Sequence, residues 1–134
     1  DWAISMEGAL KLKEISYIHC ESYSSGELKH GTISLIEKGS PVIGLLSQEE
    51  LAGKSISNIH EVRSRGAKCF AITMEGISIE EEDFAGSLMV PNTHPLFAGS
   101  LLVLPLQFLS YQVSLLKGFD PDKPRNLAKS VTVE

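Results

Sequence analysis

Two short apolar runs, PVIGLL at residues 41–46 and AKCFAIT at 67–73, do most to limit the folds open to this chain. Each is bounded by turn-forming residues and is short, which suits a strand buried on both faces. Between them, over residues 47–65, lies a helical segment. Ser47 stands where a cap is wanted, Glu49 and Glu50 fall in the first turn, where they complement the helix dipole, and Gly66 stands where a left-handed residue ends a helix. Strands joined through a helix run parallel, because a parallel connection needs a long crossover. A shorter strand at 87–90, closed by Pro91, and an apolar helix over 95–117, ended by Gly118, extend the pattern. Pro105 either kinks that helix or opens a second one. The predicted class is α/β: a parallel sheet flanked by helices, a Rossmann-like three-layer arrangement.

The amino terminus departs from that plan. Residues 3–23 carry helical periodicity, with Asp1 or Ser5 available as a cap, and a further helical turn is expected over 32–36. Doubly wound domains usually open on a strand. This chain opens on a helix and without an initiator methionine, so the expectation is a fragment of a longer protein, lacking its first strand. Its 134 residues suffice for one domain, and 43% hydrophobic and 22% charged residues are ordinary globular values.

Charge excludes some partners. A net charge of −5 argues against nucleic acid and against an acidic membrane surface. Part of the acidity is local, in Glu75 and Glu80-Glu81-Glu82-Asp83, which read as a solvated loop. Cys20 and Cys69 have neither metal-ligand nor redox spacing and are expected as buried free thiols in a reducing cytoplasm. The uncharged stretch from 95 to 116 is long enough to span a bilayer. Polar residues interrupt it, however, and Gln107, Ser110 and Ser114 recur at helical spacing, so a buried or interface helix is the better reading. Nothing at the start resembles a signal peptide.

Ionisable residues concentrate in the first helix and the loop after it. Glu7, Lys11 and Glu14 fall on one helix face, while Leu10, Ile15, Tyr17 and Ile18 are placed to supply the buried contact. A solvated face of weak ion pairs and an acid–base cluster are both compatible with that spacing. Gly8 is unfavourable inside a helix by about 1 kcal/mol, which points to another backbone or a ligand close by. His30, between Lys29 and Gly31 in a loop, is either a surface residue or a group able to take a proton near neutral pH. His19 and His60 lie in helical patterns and read as structural. No histidine pair has metal-ligand spacing backed by carboxylates, so no metal site is expected. On composition alone, the tail DPDKPRNLAKSVTVE (120–134) reads as disordered, with Lys129 in solvent.

Four segments together resemble a known family. EGALKLKEISYIH, GELKHG, PLQFLSYQVSLLKG and DPDKPRNLAKSVTVE are similar to the carboxy-terminal part of the isomerising glutamine–fructose-6-phosphate transaminases, the glucosamine-6-phosphate synthases. The resemblance covers the whole chain and is most specific in GELKHG and RNLAKSVTVE. It implies that residues 1–134 are the second of two sugar-isomerase (SIS) subdomains, with a catalytic tail at 120–134. The glutaminase domain and the first SIS subdomain, which holds the phosphate loop, are absent from this sequence. It further implies that Glu14 moves a proton between C1 and C2 of the open sugar and that Lys11 assists at the C1 hydroxyl. Glu7 would support that pair, and Lys129 would form a Schiff base with the ketose, with Ala128 beside it as a supporting residue. His30 would open the fructose ring, reaching in from the neighbouring subunit of a homodimer. Thr32 departs from the family, where many members have proline. The implied ligands are fructose 6-phosphate and glucosamine 6-phosphate, the implied partners the upstream domains of the same chain, and the implied location the cytoplasm, without nucleic acid or membrane. Two rival readings stand beside this one: a non-catalytic sugar-phosphate-binding SIS module, and a piece whose main role is dimerisation.

Overall fold

A parallel three-stranded sheet forms the middle layer of the computed structural model, which describes residues 1–127. The strands are β1 (Pro41–Leu46), β2 (Lys68–Met74) and β3 (Ser87–Val90), in the order β1-β2-β3. Pro41 pairs with Lys68 at one end of the first ladder, and Ala71 with Ser87 at the start of the second. The helices are α1 (Trp2–Ser16), α2 (Glu49–Arg63) and α3 (Ala98–Leu116), and α1 precedes every strand. This is the expected α/β class, and it is consistent with a missing first strand.

Alternation along β2 explains the two cores, because successive strand residues point to opposite faces. Cys69 and Ala71 join Leu46, Ile59, Val62, Ala67 and Phe84 on the α2 side. Ile72 and Met74 join Val90, Ala98, Leu102 and Leu106 on the α3 side. Helix α1 does not lie on the sheet. It packs along α3, and the packing is close enough to explain Gly8: a Cβ there would lie 2.6 Å from Leu106 Cδ1 and 2.9 Å from Leu106 Cβ. The neighbour that Gly8 accommodates is therefore a helix side chain.

The serines of α3 take part in the same contact. Ser110 and Ser114 are buried, Ser114 Oγ donates to Ile15 O at 2.8 Å, and Ser110 Oγ donates to Leu106 O at 2.9 Å. Small, internally satisfied side chains let α1 approach. Gln107 lies on the exposed side, so the polar stripe is made by the serines alone. Helix α3 runs through Pro105 without dividing. With the short turn before it, it is long and apolar enough to cross a membrane by length and composition, but its buried stripe faces α1 and the sheet.

Several sequence expectations need correction. The first helix stops at Ser16, seven residues early, because Tyr17 takes left-handed backbone angles, φ 57° and ψ 29°. His19 is consequently outside any helix, exposed and paired with Glu21. Leu10 is 41% exposed, and Gly8, Ala9 and Ser16 are the buried residues of α1. Ser47 does not cap α2: its N–H and hydroxyl both donate to the Asp1 carboxylate, which for that reason does not cap α1. The tail is ordered as far as it is described, with residues 119–127 packed against the end of α1. Asp83 leaves the solvated acidic loop to pair with His60 at 2.6 Å and Arg63 at 2.5 Å. Cys69 is buried and Cys20 half-buried, and burial pushes both thiols up.

Candidate functional site

Helical spacing brings Glu7, Lys11 and Glu14 together as expected. Lys11 Nζ donates to Glu14 Oε2 at 2.9 Å and lies 3.4 Å from Glu7 Oε1. The three side chains are 29–40% exposed, so the cluster is neither buried nor fully solvated. The hydrogen bond from Glu14 is the main reason that the Lys11 ammonium is held above the usual lysine range, partly opposed by its own desolvation. Lys11 is thus a firmly protonated donor, clamped between two acceptors, and its hold on Glu14 fixes where that carboxylate points.

The cluster opens on a groove of about 470 Å³ lined by Lys13, Glu14, Tyr17, Ile18, His19, Arg125, Asn126 and Leu127. One wall is the end of α1 and the other is the tail. The tail is held there by aromatic and cationic contacts. The Phe119 ring meets Tyr17 edge-on at 4.8 Å, and the Arg125 guanidinium sits 4.0 Å from the Tyr17 ring centroid. The Arg125 N–H donates to Tyr17 Oη at 2.8 Å, and Lys117 Nζ donates to Ser16 O at 2.7 Å.

The other expected site residues are placed differently. His30 is exposed at the end of the 3-10 turn Leu28–His30, and among the described residues no hydrogen bond or ion pair joins it to the Glu7–Lys11–Glu14 cluster. That loop is tied to α2 by Ser25, whose hydroxyl is 3.2 Å from Ser55 Oγ and accepts from Asn58 Nδ2 at 3.3 Å. Ala128 and Lys129 lie outside the described residues. Tyr17 and Arg125 escaped the sequence reading. Periodicity puts Tyr17 on a packing face and composition puts Arg125 in a disordered tail, and only the fold, in which Tyr17 itself turns left-handed at the end of α1, brings the two together. Among the described residues, no group of three His, Cys, Asp or Glu side chains could hold a metal ion.

The fold is a parallel α/β sheet with a carboxylate–ammonium cluster on its opening helix, and the chain belongs to the SIS domain family, whose model matches residues 2–117. Among full-length relatives, it is 58% identical over all 134 residues to the isomerising glutamine–fructose-6-phosphate aminotransferase of Clostridium tetani and 56% identical to that of Clostridium perfringens. It spans 22% of the length of each of these proteins. The C-terminal domain of the glucosamine-fructose-6-phosphate aminotransferase from Francisella tularensis superposes with a TM-score of 0.85 at 40% identity, over 91% of this chain and 34% of that one.

Proposed function

We propose that this chain is the second SIS subdomain, with its catalytic tail at 120–134, of an isomerising glutamine–fructose-6-phosphate aminotransferase. The observation that carries the reading is the groove in which Glu14, tethered by Lys11, faces Arg125, Asn126 and Leu127, the residues that lead to Lys129. In this reading the Lys129 amine attacks the C2 ketone of open-chain fructose 6-phosphate and water leaves, giving an imine. Ammonia released from glutamine by the upstream domain takes over the imine and returns Lys129 as a free amine. Glu14 then accepts the C1 proton and delivers it to C2, which yields the 2-amino aldose glucosamine 6-phosphate. Lys11 donates to the C1 hydroxyl, Glu7 and Ala128 support the pair and the tail, and His30 of a neighbouring subunit opens the ring.

The same reading places the protein in the cytoplasm as a homodimer, in keeping with free thiols and with an exposed His30 that, among the described residues, makes no bond to its own chain's cluster. No step needs a metal or organic cofactor. The test is made on the full-length protein that contains this chain. It should convert glutamine and fructose 6-phosphate to glucosamine 6-phosphate, and borohydride added with fructose 6-phosphate alone should leave a reduced sugar adduct on Lys129. Glu14→Gln should lower turnover by about 10²- to 10⁴-fold, the range for a lost general base. A protein that binds fructose 6-phosphate yet forms neither product nor adduct is the non-catalytic module instead.

A further inference from the structure

We propose that Tyr17 is a positioning residue for the tail lysine: with Arg125 it forms a clamp that sets where the chain enters beside Glu14. The inference rests on the catalytic reading of Glu14 and Lys129 given above.

The left-handed conformation of Tyr17 is unusual for an aromatic residue and costs about 1–2 kcal/mol. Something must hold it, and what holds it is the tail. The Phe119 ring and the Arg125 guanidinium pack on the Tyr17 ring, and its hydroxyl accepts the Arg125 N–H. Lys117 secures the adjacent carbonyl of Ser16 and lies 5.3 Å from the Phe119 centroid. The segment from 117 to 125 is therefore pinned to the last residues of α1 at both ends. Between the pins, Asp120 accepts the N–H of Asp122 at 2.9 Å through its side chain and that of Lys123 at 3.2 Å through its carbonyl, closing a turn. Asn126, at φ 62°, redirects the chain just after the clamp, and Leu127 lines the groove with Glu14.

These contacts do not serve the cores, since neither Tyr17 nor Arg125 belongs to either one. Their consequence is one of register. Lys129 follows Leu127 by two residues, and two residues of chain reach at most about 7 Å. The placement of Leu127 thus sets where the chain that leads to Lys129 enters the groove, beside Glu14, the carboxylate that in this reading shares its substrate. Ångström errors in such a pair are costly, because the reacting atoms need near-attack distances.

The experiment uses the full-length protein, with rapid borohydride quenching and mass spectrometry of the Lys129 peptide. Tyr17→Asn removes ring and hydroxyl but keeps a residue that tolerates left-handed angles. It should slow adduct formation at saturating fructose 6-phosphate by about tenfold or more, with the sugar KM within about twofold of wild type. Tyr17→Phe, which keeps the ring, should recover most of the rate. Independently of the chemistry, trypsin should cut after Arg125 about tenfold faster in Tyr17→Asn than in wild type, as expected when a locally closed segment opens. If Tyr17→Asn does not fold, Arg125→Met decides on the same adduct rate. An adduct formed at the wild-type rate by the variant overturns the positioning role and leaves the catalytic reading standing. A wild-type protein that forms no Lys129 adduct overturns the catalytic reading, and the positioning role falls with it.

Discussion

Lys11 is an ammonium between two carboxylates, and this limits what it can contribute. Its raised pKa keeps it protonated throughout the neutral range, so it can donate to a sugar hydroxyl but is a poor imine-forming amine. In the function proposed above, the imine therefore falls to a different lysine. Lys11→Met should reduce turnover by about 100-fold, at the lower end of the range for a group that assists proton transfer, while the borohydride adduct on Lys129 persists. An adduct found on Lys11 would reverse the two assignments. The same shift predicts a pH effect. Because the folded value lies above the ordinary 10.5, the stabilisation is fully present below 10.5 and is lost as pH rises through the folded value. The pair is a third exposed, so the effect is small, about 0.5 kcal/mol or less after screening. Urea midpoints of wild type and Lys11→Met should accordingly differ by a constant amount at neutral to mildly alkaline pH and converge above it.

At the scale of elements, the contact between α1 and α3 carries the candidate site, since α1 bears Glu7, Lys11 and Glu14, ends on Tyr17, and rests on α3. Gly8→Ala sets two effects against each other. Helix propensity gains about 1 kcal/mol, whereas overpacking costs about 1–3 kcal/mol. The new Cβ would meet not only the flexible end of Leu106 but its Cβ at 2.9 Å, close to the backbone, so the helices must separate and the cost wins. A lowered thermal midpoint is expected, and Leu106→Ala should not restore it, because alanine keeps the Cβ at 2.9 Å. A Gly8→Ala protein as stable as wild type would show that the helices part freely.

Much of this framework was legible in the sequence for local reasons. The spans 41–46 and 87–90 were read to the residue, because Pro, Gly and polar turns bracket short apolar runs. The end of α1 was not legible. Periodicity continues to about residue 23, and the interruption at Tyr17 is supplied by Phe119 and Arg125, a hundred residues away in sequence. Ser47 failed as a cap for the same reason, since Asp1 competes for its donors. The Glu7–Lys11–Glu14 cluster was visible because it depends on helix spacing alone, and the groove was invisible because it depends on the tail.

At the scale of the whole molecule, the outer face of α3 is an apolar surface that the described residues leave uncovered. Helix α3 turns Ala98, Leu102, Leu106, Ser110 and Ser114 inward, which leaves Leu104, Phe108, Tyr111 and Leu115 on the outer face, 43–63% exposed. Leu104, Phe108 and Tyr111, with Val90, Pro91, Leu101, Pro105 and Gln107, border an open, largely apolar depression of about 630 Å³. Contiguous apolar surface rimmed by polar residues marks an interaction site. The chain spans about a fifth of the length of its relatives, and in the function proposed above the upstream domains or a second subunit could cover this face. The 134-residue chain expressed alone should therefore self-associate through α3. Leu104→Glu/Phe108→Glu should shift it to a dispersed monomer in light scattering and sedimentation, without loss of helix content by circular dichroism, because neither side chain belongs to a core. In the full-length protein, the same pair should weaken domain or subunit association by about tenfold or more, as expected for buried anchors. A wild-type chain that stays monomeric at high concentration would mean that this face needs no cover, and α3 would then matter only through the side it turns toward α1.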